Sequence, residues 1–346
     1  MGLRCLRAVG ILVLTISWGN TGAWAGEFRA RRPAGQDDAP GQVRLRWIRK
    51  ARWYGPGDYG RRIIHGGRLR FYELHVPPNY RRRQPTPVIL VFHGGGGHPG
   101  AVRYESGMDR VADQEGFIAV YPAGTPTHPQ VADRLLVWND GRPRQDGSVM
   151  AEDDVGFVAA VLEDLKTLFH LDAGRVYAAG YSNGAQFCYR LAQQLSDRIA
   201  SIAVVAGQRM PNERFGVPPR AIAVMQFSGL KDTIGPYAGG QPSFEAAFQT
   251  DLRPVEETIA AWAAFDACAD RSPAVRRVGH AIETRYGPCR DETEVILWTL
   301  EDGGHTWPGG RAIPLARVEL GPVNRDINAS ELMWEFFQRH PSGRER

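Results

Sequence analysis

Unbroken apolar runs and helically spaced apolar residues alternate along this chain. PVILVF (Pro87 to Phe92), GFIAVYPAG, RVYAAG, IASIAVVAG, AIAVMQFSG and EVILWTL are continuous hydrophobic stretches, the pattern of strands buried on both faces. RLRFYELHVPPNY predicts a further strand, closed by its Pro-Pro turn. From Val155 to His170 the residues Val158, Val161, Leu162, Leu165 and Leu168 line one helical face. SNGAQFCYRLAQQLS predicts a second helix, and Leu332, Trp334, Phe336 and Phe337 give the last helix its apolar side. Strands alternating with amphipathic helices predict an α/β fold, a mostly parallel sheet with helices on both faces. In such sheets ligands bind beyond the carboxyl ends of the strands. No repeat interrupts the pattern, so residues 61–346 are expected to form a single catalytic domain.

The first 25 residues stand outside this pattern. Arg4 and Arg7 precede an apolar run, and Ala23-Trp24-Ala25 has the small-x-small form of a cleavage site, which predicts a signal peptide. The mature chain is then expected to begin near Gly26, secreted or periplasmic, with no membrane span left after cleavage. Residues 26–60 read as an Arg-rich leader or linker. Over 26–83 there are fifteen Lys/Arg against five Asp/Glu, so this stretch carries +10 while the whole 346-residue chain carries only +4. Beyond residue 83 the net charge is therefore −8, since Arg4 and Arg7 supply +2. The basic front is suited to anionic polymer or membrane surfaces, or is simply a solvated face. No nucleic-acid-binding motif accompanies it.

Export changes the meaning of the cysteines. In an oxidising compartment Cys268 and Cys289, flanking a polar, hairpin-like segment, are the expected disulfide. Cys188 lies on the apolar side of its helix and reads as a buried thiol.

The chemistry-bearing residues follow the strands. Gly180-Tyr181-Ser182-Asn183-Gly184, between an apolar run and a helix, is a G-x-S-x-G nucleophile elbow, which makes Ser182 the candidate nucleophile. A serine hydroxyl needs a base and an acid that orients it, in the chain order serine, acid, histidine. Of the histidines after Ser182, His305 lies on a glycine-lined loop at a strand's carboxyl end, whereas His280 and His340 do not. Asp232 follows the preceding strand and is the candidate acid; Asp302 is its rival, three residues from His305. HGGGGHPG (His93 to Gly100) contains a G-x-G-x-x-G match, but Pro99 and the missing ribose-binding acid argue against a dinucleotide site. It reads better as an oxyanion loop, with the N–H groups of Gly95 and Asn183 as donors. Asp153 and Asp154 read as a helix N-cap and a loop-organising pair. These parts call for no cofactor and no metal.

LHVPPNY, VILVFHGGGG, EDDVGFVAAVLEDL, GYSNGA, GGHTWPGG and INASELMWEFFQRHP together resemble the exported polyhydroxybutyrate depolymerase and feruloyl esterase group of α/β-hydrolases, close to carbohydrate esterase family 1. The resemblance spans about Arg68 to Pro341. It implies a Ser182–His305–Asp232 esterase acting on feruloyl or acetyl esters of polysaccharide, hydroxyalkanoate oligomers or small esters. The family's Trp-Asn pair is matched by Trp138-Asn139, but Ser228 stands where it usually has histidine. Trp307 and Trp138 are candidate substrate walls, Trp307 equally a packed loop anchor. A serine peptidase of the same fold and a non-catalytic binding protein are the alternative readings. Oligomeric state is not legible.

Overall fold

The computed structural model describes residues 45–50, 52–126, 135–142, 150–209, 211, 216–240, 252–268, 272–312 and 320–342. The expected signal peptide lies outside the described residues. The strands are β1 (Arg46–Ile48), β2 (Gly57–His65), β3 (Arg68–Val76), β4 (Thr86–Phe92) and β5 (Ile118–Pro122). A short pair follows, β6 (Thr125–Pro126) and β7 (Leu136–Val137). Then come β8 (Leu171–Tyr181), β9 (Ser201–Val205), β10 (Ala223–Gly229), β11 (Ala274–Val278), β12 (Ala281–Tyr286) and β13 (Val295–Leu300). The helices are α1 (Pro99–Ser106), α2 (Met108–Glu115), α3 (Asp154–Leu168), α4 (Asn183–Gln194), α5 (Val255–Phe265) and α6 (Ala329–Arg339).

Among the described residues eleven strands form one sheet, in the order β1-β2-β3-β5-β4-β8-β9-β10-β13-β12-β11. From β5 to β13 every neighbour is parallel, and the antiparallel pairs lie toward the two edges. This is the expected mostly parallel α/β sheet. Alternate residues of each central strand feed opposite faces, as the strand period requires. Val88, Leu90 and Phe92 of β4 pack with α3, α4 and α5, while Ile89 and Val91 pack with α1, α2 and α6. The continuous apolar runs of the sequence are therefore strands with a core on both sides.

One expectation about the front of the chain changes. Residues 46–48 and 57–60, read as leader from sequence, pair into the sheet as β1 and the start of β2. Arginines mask the pattern there: Ile48 and Tyr59 are buried while Arg46 and Arg49 face solvent. The polar segment between the cysteines is the β11–β12 hairpin, added antiparallel to β13. The disulfide Cys268–Cys289 is present and closes that segment.

Candidate active site

Parallel strands with level ends bring three loops to one edge of the sheet. Gly180 of β8 pairs with Val204 of β9, Val205 with Phe227 of β10, and Gly229 with Leu300 of β13. Ser182, Asp232 and His305 each lie just past the carboxyl end of one of these strands.

The two glycines around Ser182 have separate steric duties. A Cβ on Gly180 would lie 2.4 Å from the Gly184 carbonyl oxygen, and one on Gly184 would lie 2.5 Å from the carbonyl oxygens of Phe92 and His93. The first glycine lets the turn fold onto itself, and the second lets it press against the loop after β4. Ser182 itself has φ 56° and ψ −120°, a conformation that a residue with a side chain adopts only under constraint. Its N–H donates to Val205 O at 2.9 Å, which helps to hold it there.

His305 joins the other two residues. Its Nε2 is 2.9 Å from Ser182 Oγ, and its Nδ1 is 2.7 Å from Asp232 Oδ2. Asp232 and His305 are buried, while Ser182 is partly exposed. The second carboxylate oxygen of Asp232 accepts from the N–H groups of Ile234 (2.8 Å) and Gly235 (2.7 Å), which fixes the carboxylate plane. The His305 backbone is held from two sides: its N–H donates to Leu320 O at 2.6 Å, and its carbonyl accepts the Tyr181 hydroxyl at 2.5 Å. Burial, with the nearby Glu105 and Asp232 carboxyls, pushes the Tyr181 phenol up and keeps it a donor. Asp302, the rival acid, accepts from Asn324 Nδ2 at 2.6 Å instead. His280 meets Asp326 at the surface and His340 meets Glu294, so neither joins Ser182.

The glycine loop after β4 lies directly against the elbow. A Cβ on Gly94 would be 3.2 Å from Ser182 Cβ, and one on Gly95 3.5 Å from Asn183 Cβ. His93 anchors the loop, with Nδ1 2.8 Å from Gly94 O and Nε2 accepting the Gly124 N–H at 3.0 Å. Burial pushes this imidazole down to about 4, so it stays neutral, donating from Nδ1 and accepting at Nε2.

A largely buried segment, residues 136–140, ties the two loops together. On one side Gly96 N–H donates to Leu136 O (2.8 Å) and Trp138 Nε1 donates to His93 O (3.1 Å). On the other, Asn183 Oδ1 accepts the Trp138 N–H (2.7 Å), and Asn183 Nδ2 donates to Trp138 O (3.1 Å) and Asp140 Oδ2 (2.7 Å). Burial raises the Asp140 carboxyl, but Arg142 and Arg209 more than offset it and hold it below its ordinary value. Asn139 N–H donates to Asp154 Oδ2 (2.8 Å), and Arg70 Nη2 donates to Asp154 Oδ1 (2.8 Å), while Asp153 caps α3 through Gly156 N–H. Asp140 and Tyr181 were not singled out from sequence. The acid directly after Trp138-Asn139 was the available signal for Asp140; nothing local marks Tyr181.

Neither tryptophan lies open to solvent, and the loop-anchor reading is the one that fits Trp307. Trp138 and Trp307 are buried, Trp138 stacked on Phe187 and Trp307 donating to Ser330 Oγ at 3.1 Å. They support the loops from behind rather than wall an open site. Ser228 is also buried, its hydroxyl accepting from Gln226 Nε2 at 2.9 Å. Cys188 is a free, buried thiol raised by burial. Among the described residues two groups of His and Asp converge closely enough to hold a cation, Asp58-His75-Asp109 and His280-Asp302-Asp326, and neither includes a residue of the Ser182 cluster. In the first, the Arg103 guanidinium already pairs with both carboxylates.

Comparison with known proteins bears on this arrangement. Residues 70–234 match the family described as Esterase PHB depolymerase. The chain is 28% identical over 298 residues to NocK of Nocardia uniformis subsp. tsuyamanensis, a protein assigned as an esterase, covering 80% of this chain and 81% of that one. It is 25% identical over 243 residues to feruloyl esterase B of Piromyces equi, covering 69% of this chain but only 43% of that longer protein. Among solved structures, a complex of a pOPH variant with pNPB superposes with a TM-score of 0.53 at 14% identity, over 84% of this chain and 91% of that one, which is a likeness of fold. The chain is a carboxylic-ester hydrolase of the α/β-hydrolase fold, similar over residues 70–234 to the Esterase PHB depolymerase family.

Proposed function

We propose that this protein is a secreted serine esterase that cleaves feruloyl or acetyl esters on polysaccharide, or hydroxyalkanoate oligomers, through an acyl-enzyme. The observation that carries the mechanism is the hydrogen-bonded chain Ser182 Oγ–His305 Nε2–His305 Nδ1–Asp232 Oδ2, at 2.9 Å and 2.7 Å. Ser182 Oγ attacks the ester carbonyl while His305 Nε2 takes its proton. Asp232 holds the Nδ1–H tautomer and stabilises the imidazolium. The oxyanion forms beside the N–H groups of Gly95 and Asn183, each such donor typically contributing roughly 3–4 kcal/mol in the transition state. His305 returns the proton to the leaving alcohol, and water repeats the sequence to release the acid. The substrate class is supported by relatives named feruloyl esterases. Secretion is supported by the residue pattern of the first 25 positions, and no helix among the described residues is long and apolar enough to cross a membrane.

The test is initial hydrolysis rates on methyl ferulate, a hydroxybutyrate trimer and p-nitrophenyl acetate, with Ser182→Ala alongside. Loss of the nucleophile lowers turnover by about 10⁴-fold or more on the preferred ester. Ser182→Ala activity equal to that of the parent protein would remove the mechanism.

A further inference from the structure

The basic front of the chain takes no part in the proposed chemistry, yet it is folded into a groove. It lies at the β1 edge of the sheet, with β2, β3 and β5 between it and the strand that leads into the oxyanion loop. A cavity of about 640 Å³ there is lined by Arg46, Trp47, Arg49, Lys50, Arg52 and Trp53, with Tyr54 and Tyr59 behind them. Trp47 and Trp53 are 45% and 39% exposed, which is costly for indole rings unless something covers them.

The rings are placed rather than loose. Trp47 lies flat across β2 at Gly60, where an added Cβ would be 2.8 Å from the indole. Guanidiniums sit over the aromatic faces: Arg62 over Trp47 at 4.3 Å, Arg82 over Trp53 at 4.7 Å, and Arg46 over Tyr59 at 4.5 Å. Residues 45–62 hold six Lys/Arg and a single acid, Asp58. That acid is engaged by Arg103 and His75, and Arg61 is engaged by Asp164. Among the described residues no carboxylate pairs with Arg46, Arg49, Lys50, Arg52 or Arg62. Planar rings and unneutralised guanidiniums thus share one concave surface.

We propose that this groove binds an acidic polysaccharide, with sugar rings against the exposed edges of Trp47 and Trp53 and uronate carboxylates on Arg49 and Arg52. The proposal rests on the esterase reading in one respect: it holds the enzyme on the polymer that bears its ester. Arginine predominates over lysine, and its planar fork matches a carboxylate with two hydrogen bonds. A bilayer is a poorer fit, because the indoles lie in a concavity beneath guanidiniums instead of projecting as a wedge.

Affinity electrophoresis of the full chain through polygalacturonate tests this, with neutral arabinoxylan, single-stranded DNA and phosphatidylglycerol vesicles as comparators. Retention is expected on polygalacturonate above the three comparators, weakening with salt. Trp47→Ala/Trp53→Ala and Arg49→Glu/Arg52→Glu should each reduce it about tenfold or more, with p-nitrophenyl acetate turnover unchanged. Arg49→Glu/Arg52→Glu alters exposed side chains alone, so it decides the matter if the tryptophan variant does not fold. Undiminished retention in the charge-reversed variant, or tighter binding to DNA or vesicles, would overturn the proposal. Polygalacturonate carries no scissile feruloyl or acetyl ester, so its retention is scored independently of whether the esterase reading holds.

Discussion

Asn183, the residue after the candidate nucleophile, is locked through its side chain to the carboxylate of Asp140, 2.7 Å away and wholly inside the protein. The same segment hydrogen-bonds the glycine loop through Leu136 O and Trp138 Nε1. The two proposed oxyanion donors are therefore spaced by a third element rather than by each other. Asp140→Asn keeps the volume and removes the charge that orients the Asn183 amide. In steady-state kinetics on p-nitrophenyl acetate it should lower kcat by about 10- to 100-fold, within what loss of one donor costs, and leave KM nearly unchanged. It also removes the buried carboxylate charge that pairs with Arg142, so urea unfolding should register a loss of about 1–3 kcal/mol. An unchanged kcat would mean that the Asn183 backbone is held without this bond.

Gly180 and Gly184 make different backbone approaches, 2.4 Å and 2.5 Å from where a Cβ would stand. Neither obstacle is a side chain that could swing away. Gly180→Ala and Gly184→Ala should each cost about 4 kcal/mol or more, read as a lowered Tm or as failure to recover folded protein. A Tm within a degree of the parent protein would show that the elbow can relax.

The disulfide closes a 21-residue separation around the β11–β12 hairpin. Cys268→Ser/Cys289→Ser should destabilise the protein by about 2–4 kcal/mol, measured by thermal unfolding. Turnover per folded molecule should persist, because neither cysteine contacts Ser182, His305 or Asp232.

His75 is pulled down by burial, but hydrogen bonds to Asp58 and Asp113, helped by the nearby Asp109, more than compensate and hold it up at about 9. Its folded value lies above the ordinary 6.5, so its stabilisation is complete below pH 6.5 and is lost as pH rises through about 9. Glu294 has the opposite sign: burial raises it, yet His340 and Arg285 bring it down to about 2, so its contribution disappears as pH falls from 4.5 toward 2. Tm measured from pH 6 to 10 should decline more steeply for the parent protein than for His75→Gln. Parallel curves would exclude His75 as the source.

The chain order of strands and helices, Ser182, Asp232 and His305 were legible because their signals are local. A buried parallel strand is a run of apolar residues, an elbow is five consecutive residues, and a strand's end can be read from where its apolar run stops. β1 and the start of β2 were hidden because β1 has three residues, a Gly-Pro-Gly stretch leads into β2, and only Ile48 and Tyr59 supply buried apolar side chains there. Only the tertiary structure decided that Asp302 turns to Asn324 while Asp232 faces His305, since Asp302 lies three residues from the histidine along the chain and Asp232 lies 73 away. It also decided that Trp138 and Trp307 are supports and that Asp140 stands behind Asn183. Those are relations between side chains 22 or more residues apart, or questions of burial, and sequence spacing carries neither. Local physics sets which elements form; packing of the finished sheet sets which polar groups meet.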